Sequence, residues 1–501
     1  MTFRSILFEC FDAEEPAAFK DLNLDQIVAA VTLGREEYQL APFFHAPLRS
    51  AELVAKRQDV VRELERAEVA QPVEEFARRM VSARVHLAQA GKRNHRLQRE
   101  RWFLSAAEHY CTAAVELAAT LADVELESEG LLAFRDYLTE YVGSAPFRSL
   151  SSATTELTEQ LAGVHYRLHL KGNKITITRY DGSSDYSAEI EQTFARFQQG
   201  AAKDYRIPVQ SSPDVNPVEA GILERVAKLY PDLFAAVTRF NDEYAGFVDP
   251  TVARFDRQVQ FYLAYLDYLR PLKAAGLPFC YPELTGSKTI QATGAFDLAL
   301  AAKLVDEAVE VVRNDFHLSG PERILVVTGP NQGGKTTFAR TFGQLHQLAA
   351  LGLPVPGEQA RLFLFDRLFT HFEKEEYLHD LRGKLQDDLV RVHEILRAAT
   401  GESIVILNEI FASTTVQDAL SLGRRVLSEV AERDILCVCV TFVDELASLN
   451  DSTVSLVSTV EAGDHRTYKL VRKPPDGLAF AATIAAKYRL SYDLLKERLN
   501  R

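Results

Sequence analysis

Over the first 160 residues apolar positions recur three or four apart, and then the period drops to two. Leu22, Leu24, Ile27, Val28 and Val31 make one amphipathic stripe, closed by Gly34. In Ser50–Arg66 the apolar positions 53, 54, 60, 61 and 64 line one side, with mixed charges elsewhere. Similar patterns predict helices over roughly 72–90, 98–124, 128–142 and 151–162, behind a lead-in strand or arm at 1–20. Val164–Leu170 and Ile175–Tyr180 instead alternate every second residue around Lys171-Gly-Asn-Lys174, which predicts a β-hairpin near 164–180. A Gly/Ser/Asp loop at 181–187 follows, helices resume near Ala188, and 208–217 has linker composition. Long helices are predicted over about 218–246 and 249–274. The second carries Phe255, Phe261, Tyr262, Tyr265 and Tyr268, a stripe whose ordinary role is helix packing. After Gly276-Leu-Pro278 short strands and turns take over, so the reading divides the chain into a helical region, 1–275, and an α/β region, 276–501.

The candidate chemistry lies in the second region. Gly329-Pro330-Asn331-Gln332-Gly333-Gly334-Lys335-Thr336-Thr337 follows the apolar run Ile324–Thr328 and opens onto a helix-compatible segment. Strand, glycine loop and helix N-terminus in that order form a phosphate cradle (a P-loop). Glycines let backbone N–H groups approach phosphate oxygens, and the helix start adds unpaired donors. Lys335 can reach the β- and γ-phosphates of ATP, and the Thr336 hydroxyl can ligate Mg²⁺. A second buried strand, Ser403–Leu407, ends in Asn408-Glu409. Glu409 is placed to orient or deprotonate an attacking water. Asn408 stands where an aspartate is usual on the metal side and brings no negative charge. A third apolar run, Ile435–Thr441, leads to Phe442-Val-Asp444-Glu445, where Thr441, Asp444 and Glu445 are the polar candidates for the γ-phosphate.

Composition narrows the setting. The chain has 501 residues, 47% apolar and 25% charged, ordinary for globular protein. A formal net charge of −13 argues against a surface coated for nucleic acid but leaves room for a local basic lining. The five cysteines follow neither zinc nor disulfide spacing, which reads as a reducing, cytoplasmic setting. Cys437 and Cys439 alternate and so share one strand face. There is no run long enough for a membrane span and no signal peptide pattern.

The loop 329–337, Asn408–Leu422 and Val440–Leu446 together resemble the ATPase domain of the MutS family of ABC-type ATPases, most specifically over about 320–490. Pro47-Leu48 and Lys56–Val61 resemble the family's helical core and lever region more loosely. The resemblance implies a multidomain protein, with a mostly α-helical core/lever region and inserted hairpin ahead of an α/β P-loop ATPase domain. It implies ATP and Mg²⁺ as ligands, Asn331 near the γ-phosphate, Glu409 as the catalytic glutamate, and a homodimer. Thr414 and Asp418 match the loop that meets the partner subunit across the nucleotide. Gly477-Leu-Ala looks like the start of a C-terminal dimerisation segment. Departures are Asn408, Phe442 in place of a histidine, and Arg382-Gly383-Lys-Leu-Gln-Asp-Asp388 where the trans-acting signature is expected. The mismatch-reading domain is not recognised, and Leu7-Phe8-Glu9 has the wrong spacing for its wedge.

The densest basic run holds Lys92, Arg93, Arg96 and Arg99; on one helix 92, 96 and 99 would share a face able to meet phosphates. A solvated, salt-bridged face that includes Glu100 is the other reading. Lys171 and Lys174 form a basic hairpin tip that either touches a DNA backbone or props the helices. The leading expectation is an ATP-gated dimeric clamp on DNA, in repair or recombination. The alternative is an ATP-gated scaffold with little hydrolysis and no mismatch recognition, relying on a protein partner for recognition.

Overall fold

The computed structural model describes residues 3–9, 13–172, 174–182, 215–373, 383–461 and 465–475. The helical stripes of the first region become helices: α1 (Leu24–Thr32), α2 (Ala51–Leu64), α3 (Ala67–Lys92), α4 (Arg96–Asp123), α5 (Glu129–Gly143) and α6 (Ala145–Ala162). Each end has a local cause where a cap is present. Ser50 accepts from the Leu53 amide to start α2, and Ser144 accepts from Phe147 ahead of Pro146 to start α6. The alternating stretches form an antiparallel hairpin of β1 (Tyr166–Lys171) and β2 (Lys174–Arg179), with Gly172 at φ +59° in the turn. Residues 3–9 form no strand. They are pinned by Arg57, which donates to Leu7 O, and by Tyr262, which donates to Ile6 O.

Two expectations are corrected. The basic run is not one helix: α3 ends at Lys92 and α4 begins at Arg96, so residues 93–95 form the corner of an αα-hairpin. The expected long helix at 218–246 is broken into α7 (Pro217–Leu229) and α8 (Pro231–Glu243). Pro231 has no amide hydrogen to continue α7, and it suits the first turn of a new helix. The loop after Gly182, the expected helix at Ala188 and most of the linker lie outside the described residues.

The chain forms two compact units whose boundary falls inside α9 (Pro250–Ala274), between Asp256 and Arg257. One takes in Ala67–Glu125 and Ala133–Asp256; the other Arg4–Arg66, Leu126–Leu132 and the chain from Arg257. In the first, α3 and α4 pack along each other, and Phe255 contacts Phe76 and Phe134. In the second, Phe261 lies against Phe43 and Phe44. Thus the aromatic stripe of α9 is core: Phe255, Phe261, Tyr262 and Tyr265 are fully buried.

The second unit is built on a six-stranded sheet. Its strands are β5 (Ile324–Thr328), β7 (Leu368–His371), β8 (Ile404–Asn408), β9 (Leu436–Val440), β10 (Thr453–Glu461) and β11 (His465–Arg472). They run in the order β7-β8-β9-β5-β10-β11, with the first five parallel and β11 antiparallel at the edge. A smaller sheet orders Glu283–Thr285, β6 (Gln359–Phe363), β3 (Ile290–Ala295) and β4 (Asn314–Leu318). Every residue of β5, β8 and β9 is buried, as continuous apolar runs covered on both faces require. On one face α11 (Lys384–Ala398) and α12 (Val416–Glu432) bury Val392, Leu396, Leu427 and Val430 against Val326, Leu407, Cys437 and Cys439. On the other lies α10 (Lys335–Ala350), whose Gly343 comes close to Ile406. The two cysteines do share a face, and burial pushes the Cys439 thiol up to about 12, far from thiolate reactivity.

Candidate functional site

Strand β5 ends at Thr328 in mid-sheet, and the loop 329–334 carries the chain from there to the first residue of α10, Lys335. Its turns need positive φ: Gly329 at +121°, Gln332 at +57° and Gly334, the residue before the helix, at +88°. A Cβ on Gly329 would come within 2.9 Å of the Ser458 Cβ, and one on Gly333 would collide with the Ser458 hydroxyl. That hydroxyl, on β10, donates to Gly333 O at 2.6 Å. The loop is therefore pressed onto the neighbouring strand, and only glycine fits both positions.

Lys335 is 4% exposed. Its ammonium donates to Gly329 O at 2.9 Å and Pro330 O at 3.0 Å, which holds the side chain back across the loop. Burial pulls its pKa below the ordinary lysine value; the nearby Glu409 carboxylate opposes that and the Arg466 guanidinium adds to it. Thr336 donates from Oγ1 to Asn408 Oδ1 at 3.0 Å, so the loop and the end of β8 meet through oxygen atoms. Asn408 is buried. Glu409 follows in a left-handed conformation, φ +55°, with its amide donating to Val440 O at 2.9 Å. Its side chain joins Gln332, Gly333, Gly334, Lys335, Thr336 and Thr337 around a cavity of about 460 Å³.

The far wall of that cavity was not foreseen from the sequence. Leu300, Leu304, Val309, Val311 and Val312 supply an apolar lining, and Tyr468 of β11 closes one side. None belongs to a motif, and each reaches the loop through long-range packing. Asp297, also on the wall, caps the helix Leu298–Asp306 and accepts from Gln344 of α10 at 2.9 Å. Burial raises its pKa.

The remaining candidates lie apart from this cavity. Phe442 is 46% exposed just beyond β9, and the Thr441 hydroxyl accepts from the Val443 amide at 3.0 Å. Thr414 and Thr415 both donate to the Asp418 carboxylate, at 3.3 and 2.8 Å, at the start of α12. Gly383 precedes α11, and a side chain there would meet open space. Arg382 and Gly477 lie outside the described residues. Arg93 is 8% exposed and lies over Trp102, while Arg96 pairs with Glu100 at 2.9 Å and bonds Thr238. Lys92, Arg99, Lys171 and Lys174 are exposed. Among the described residues no group of three or more His, Cys, Asp or Glu side chains is placed to hold a metal ion, and no helix is long and apolar enough to cross a membrane.

A buried parallel strand feeds a glycine loop and a helix N-terminus at the carboxyl edge of the sheet, where the end of a second strand meets the loop through the Thr336–Asn408 hydrogen bond. Residues 325–477 match the family described as MutS domain V. The chain is 34% identical over 186 residues to the DNA mismatch repair protein MutS of Erythrobacter litoralis, covering 37% of this chain and 21% of that one. It is 29% identical over 244 residues to the endonuclease MutS2 of Thermus thermophilus, covering 45% and 33%. It is 34% identical over 194 residues to the DNA mismatch repair protein msh3 of Botryotinia fuckeliana, covering 38% and 17%. Over these stretches the chain is similar to proteins of the MutS family, and the matched stretch spans a third or less of each of these relatives.

Proposed function

We propose that the chain binds ATP with Mg²⁺ on the loop between β5 and α10, hydrolyses it, and couples the cycle to a homodimeric clamp on DNA in repair or recombination. The observation that carries this reading is the convergence of the glycine loop, Thr336 and Glu409 on one cavity, with Thr336 bonded to Asn408, within the segment that matches MutS domain V. Amides of residues 329–337 and the start of α10 would hold the phosphates. Lys335 would exchange its two carbonyl partners for phosphate oxygens, which relieves a buried cation. The apolar wall of Leu300, Val311 and Val312, with Tyr468, would take the base.

The residues fit Mg²⁺: Thr336 Oγ1 and Asn408 Oδ1 are hard oxygen donors already in contact, the kind of pair that completes its shell with waters and phosphates. The ion would supply neutralisation of phosphate charge, with less help than an aspartate at Asn408 would give. Glu409, which lines the cavity and follows β8 in a left-handed conformation, would accept the proton of the attacking water. Gly383, Thr414 and Asp418 would complete the site of a second copy. Relatives named for DNA mismatch repair support a DNA substrate, to which Lys171, Lys174, Lys92 and Arg99 would offer phosphate contacts. The unit that takes in Ala67–Glu125 and Ala133–Asp256 would act as arm, and the unit built on the six-stranded sheet as engine.

A second reading is a scaffold that binds ATP and turns it over slowly, recruiting a protein partner. Neutral Asn408 and outward Phe442 favour it. Phosphate release and solution mass, measured with and without duplex, branched and single-stranded DNA, separate the two. The clamp reading expects ATP-dependent doubling of mass and turnover that DNA alters. Tight ATP binding with no turnover selects the scaffold, and failure to bind ATP removes both.

A further inference from the structure

Arg466 stands near the start of β11, far in sequence from the phosphate loop, yet its guanidinium lies over the loop tip. It donates to Asn331 O and, at 3.2 Å, to Gln332 Oε1. Both acceptors are neutral. Some arginines of the same unit pair with carboxylates, Arg472 with Glu322 and Arg323 with Asp434 at 2.5 Å, while others, such as Arg340 on Asp21 O and Arg391 on Phe372 O, bond carbonyls away from the phosphate loop. In a chain of formal net charge −13, a cation parked on an amide and a carbonyl beside a phosphate cradle calls for an anion. At the neighbouring strand end Phe442 is apolar and the Thr441 hydroxyl is engaged with Val443, and the carboxylates of Glu409 and Asp444 act on Lys335. Lys335 meanwhile reaches across the floor of the loop, and the field of Arg466 is one of the influences that disfavour its charge. Two cations flanking one empty-handed loop are relieved together when a phosphate group lies between them.

We infer that Arg466 is the cation that reads the terminal phosphate of a bound nucleoside triphosphate, leaving Asn331 O and Gln332 for two phosphate oxygens. Guanidinium geometry favours the exchange, because it offers paired donors and forms stronger bonds to an ionised acceptor than to a carbonyl. The assignment deepens the nucleotide reading of the site and rests on it. It makes the loop selective for the triphosphate from the strand opposite the motif, in the place where Phe442 contributes nothing.

The test is the affinity of the full chain for ATP and for ADP, measured by calorimetric titration with Mg²⁺, in the wild type, Arg466→Ala and Arg466→Lys. Arg466→Ala is expected to weaken ATP by about tenfold or more and ADP by less than about twofold. Arg466→Lys recovers part of the preference. Equal losses for ATP and ADP in Arg466→Ala would show an arginine that only holds the loop, and overturn the assignment. Unchanged affinities overturn it as well. A wild type that binds neither nucleotide overturns the nucleotide reading itself, and the assignment with it. Thermal midpoints of the variants, expected within about 2 °C of wild type for a half-buried surface side chain, identify any loss that comes from misfolding.

Discussion

His346 is a histidine the site does not use, and its burial makes it a pH sensor for the fold that carries the loop. It lies on α10, fully buried, with Nδ1 at 2.8 Å from Phe342 O, so the neutral ring donates there and Nε2 has no partner among the described residues. Burial pushes its pKa down to about 4 from the ordinary 6.5. The unfolded chain therefore takes up this proton first as pH falls. Its contribution to stability is intact above pH 6.5 and is lost between there and 4, up to about 3 kcal/mol. His346→Leu is expected to flatten the fall in thermal midpoint between pH 7 and 4.5; an identical fall in both proteins would show that other groups dominate. Legibility at this scale tracked how local each cause is. Gly329, Lys335 and Thr336 were readable because strand, loop and helix are contiguous in sequence, and Glu409 because it ends an apolar run of its own. Ser458, Tyr468 and Arg466 were not, because what brings them to the loop is the pairing of β10 with β5 and of β11 with β10.

At the scale of elements, the sharpest constraint is the end of α10. Leu353 N donates to Leu348 O at 3.2 Å and Gly352 N to Ala349 O at 2.9 Å, a Schellman closure with Gly352 at φ +77°. A Cβ there would run into the Cβ of Arg57, whose guanidinium also holds Leu351 O at 3.1 Å. Gly352→Ala combines backbone strain with a clash. It is expected to cost about 2–4 kcal/mol in chemical unfolding; a loss under about 1 kcal/mol would mean the helix end relaxes freely. Helix existence was legible from the 3.6 period, and one broken boundary had a visible signal in Pro231. The corner at 93–95 falls in the gap left between the helices predicted over 72–90 and 98–124, although Arg93-Asn94-His95 carries neither glycine nor proline. What sets it is the pairing of α3 with α4 and the seat of Arg93 over Trp102. That corner removes the single basic face on which Lys92, Arg96 and Arg99 would have stood together.

At the scale of the molecule, the clamp reading makes the hairpin tip an electrostatic contact. Lys171 and Lys174 are opposite one another in the β1–β2 register and exposed. If both neutralise phosphates, Lys171→Ala/Lys174→Ala should lower the slope of log affinity against log salt by about 2 on duplex DNA, without changing sequence preference. An unchanged slope would return the tip to a purely structural role. The central claim is narrower: the loop from Gly329 to Thr337 is the place where ATP is held and broken. Steady-state phosphate release by the wild type, Lys335→Ala and Glu409→Gln, each paired with an ATP-binding titration, tests it most directly. The account predicts turnover in the wild type and loss of both binding and turnover in Lys335→Ala. For Glu409→Gln it predicts retained binding with turnover lowered by about 10²–10⁴-fold. Equal turnover in all three proteins would contradict it.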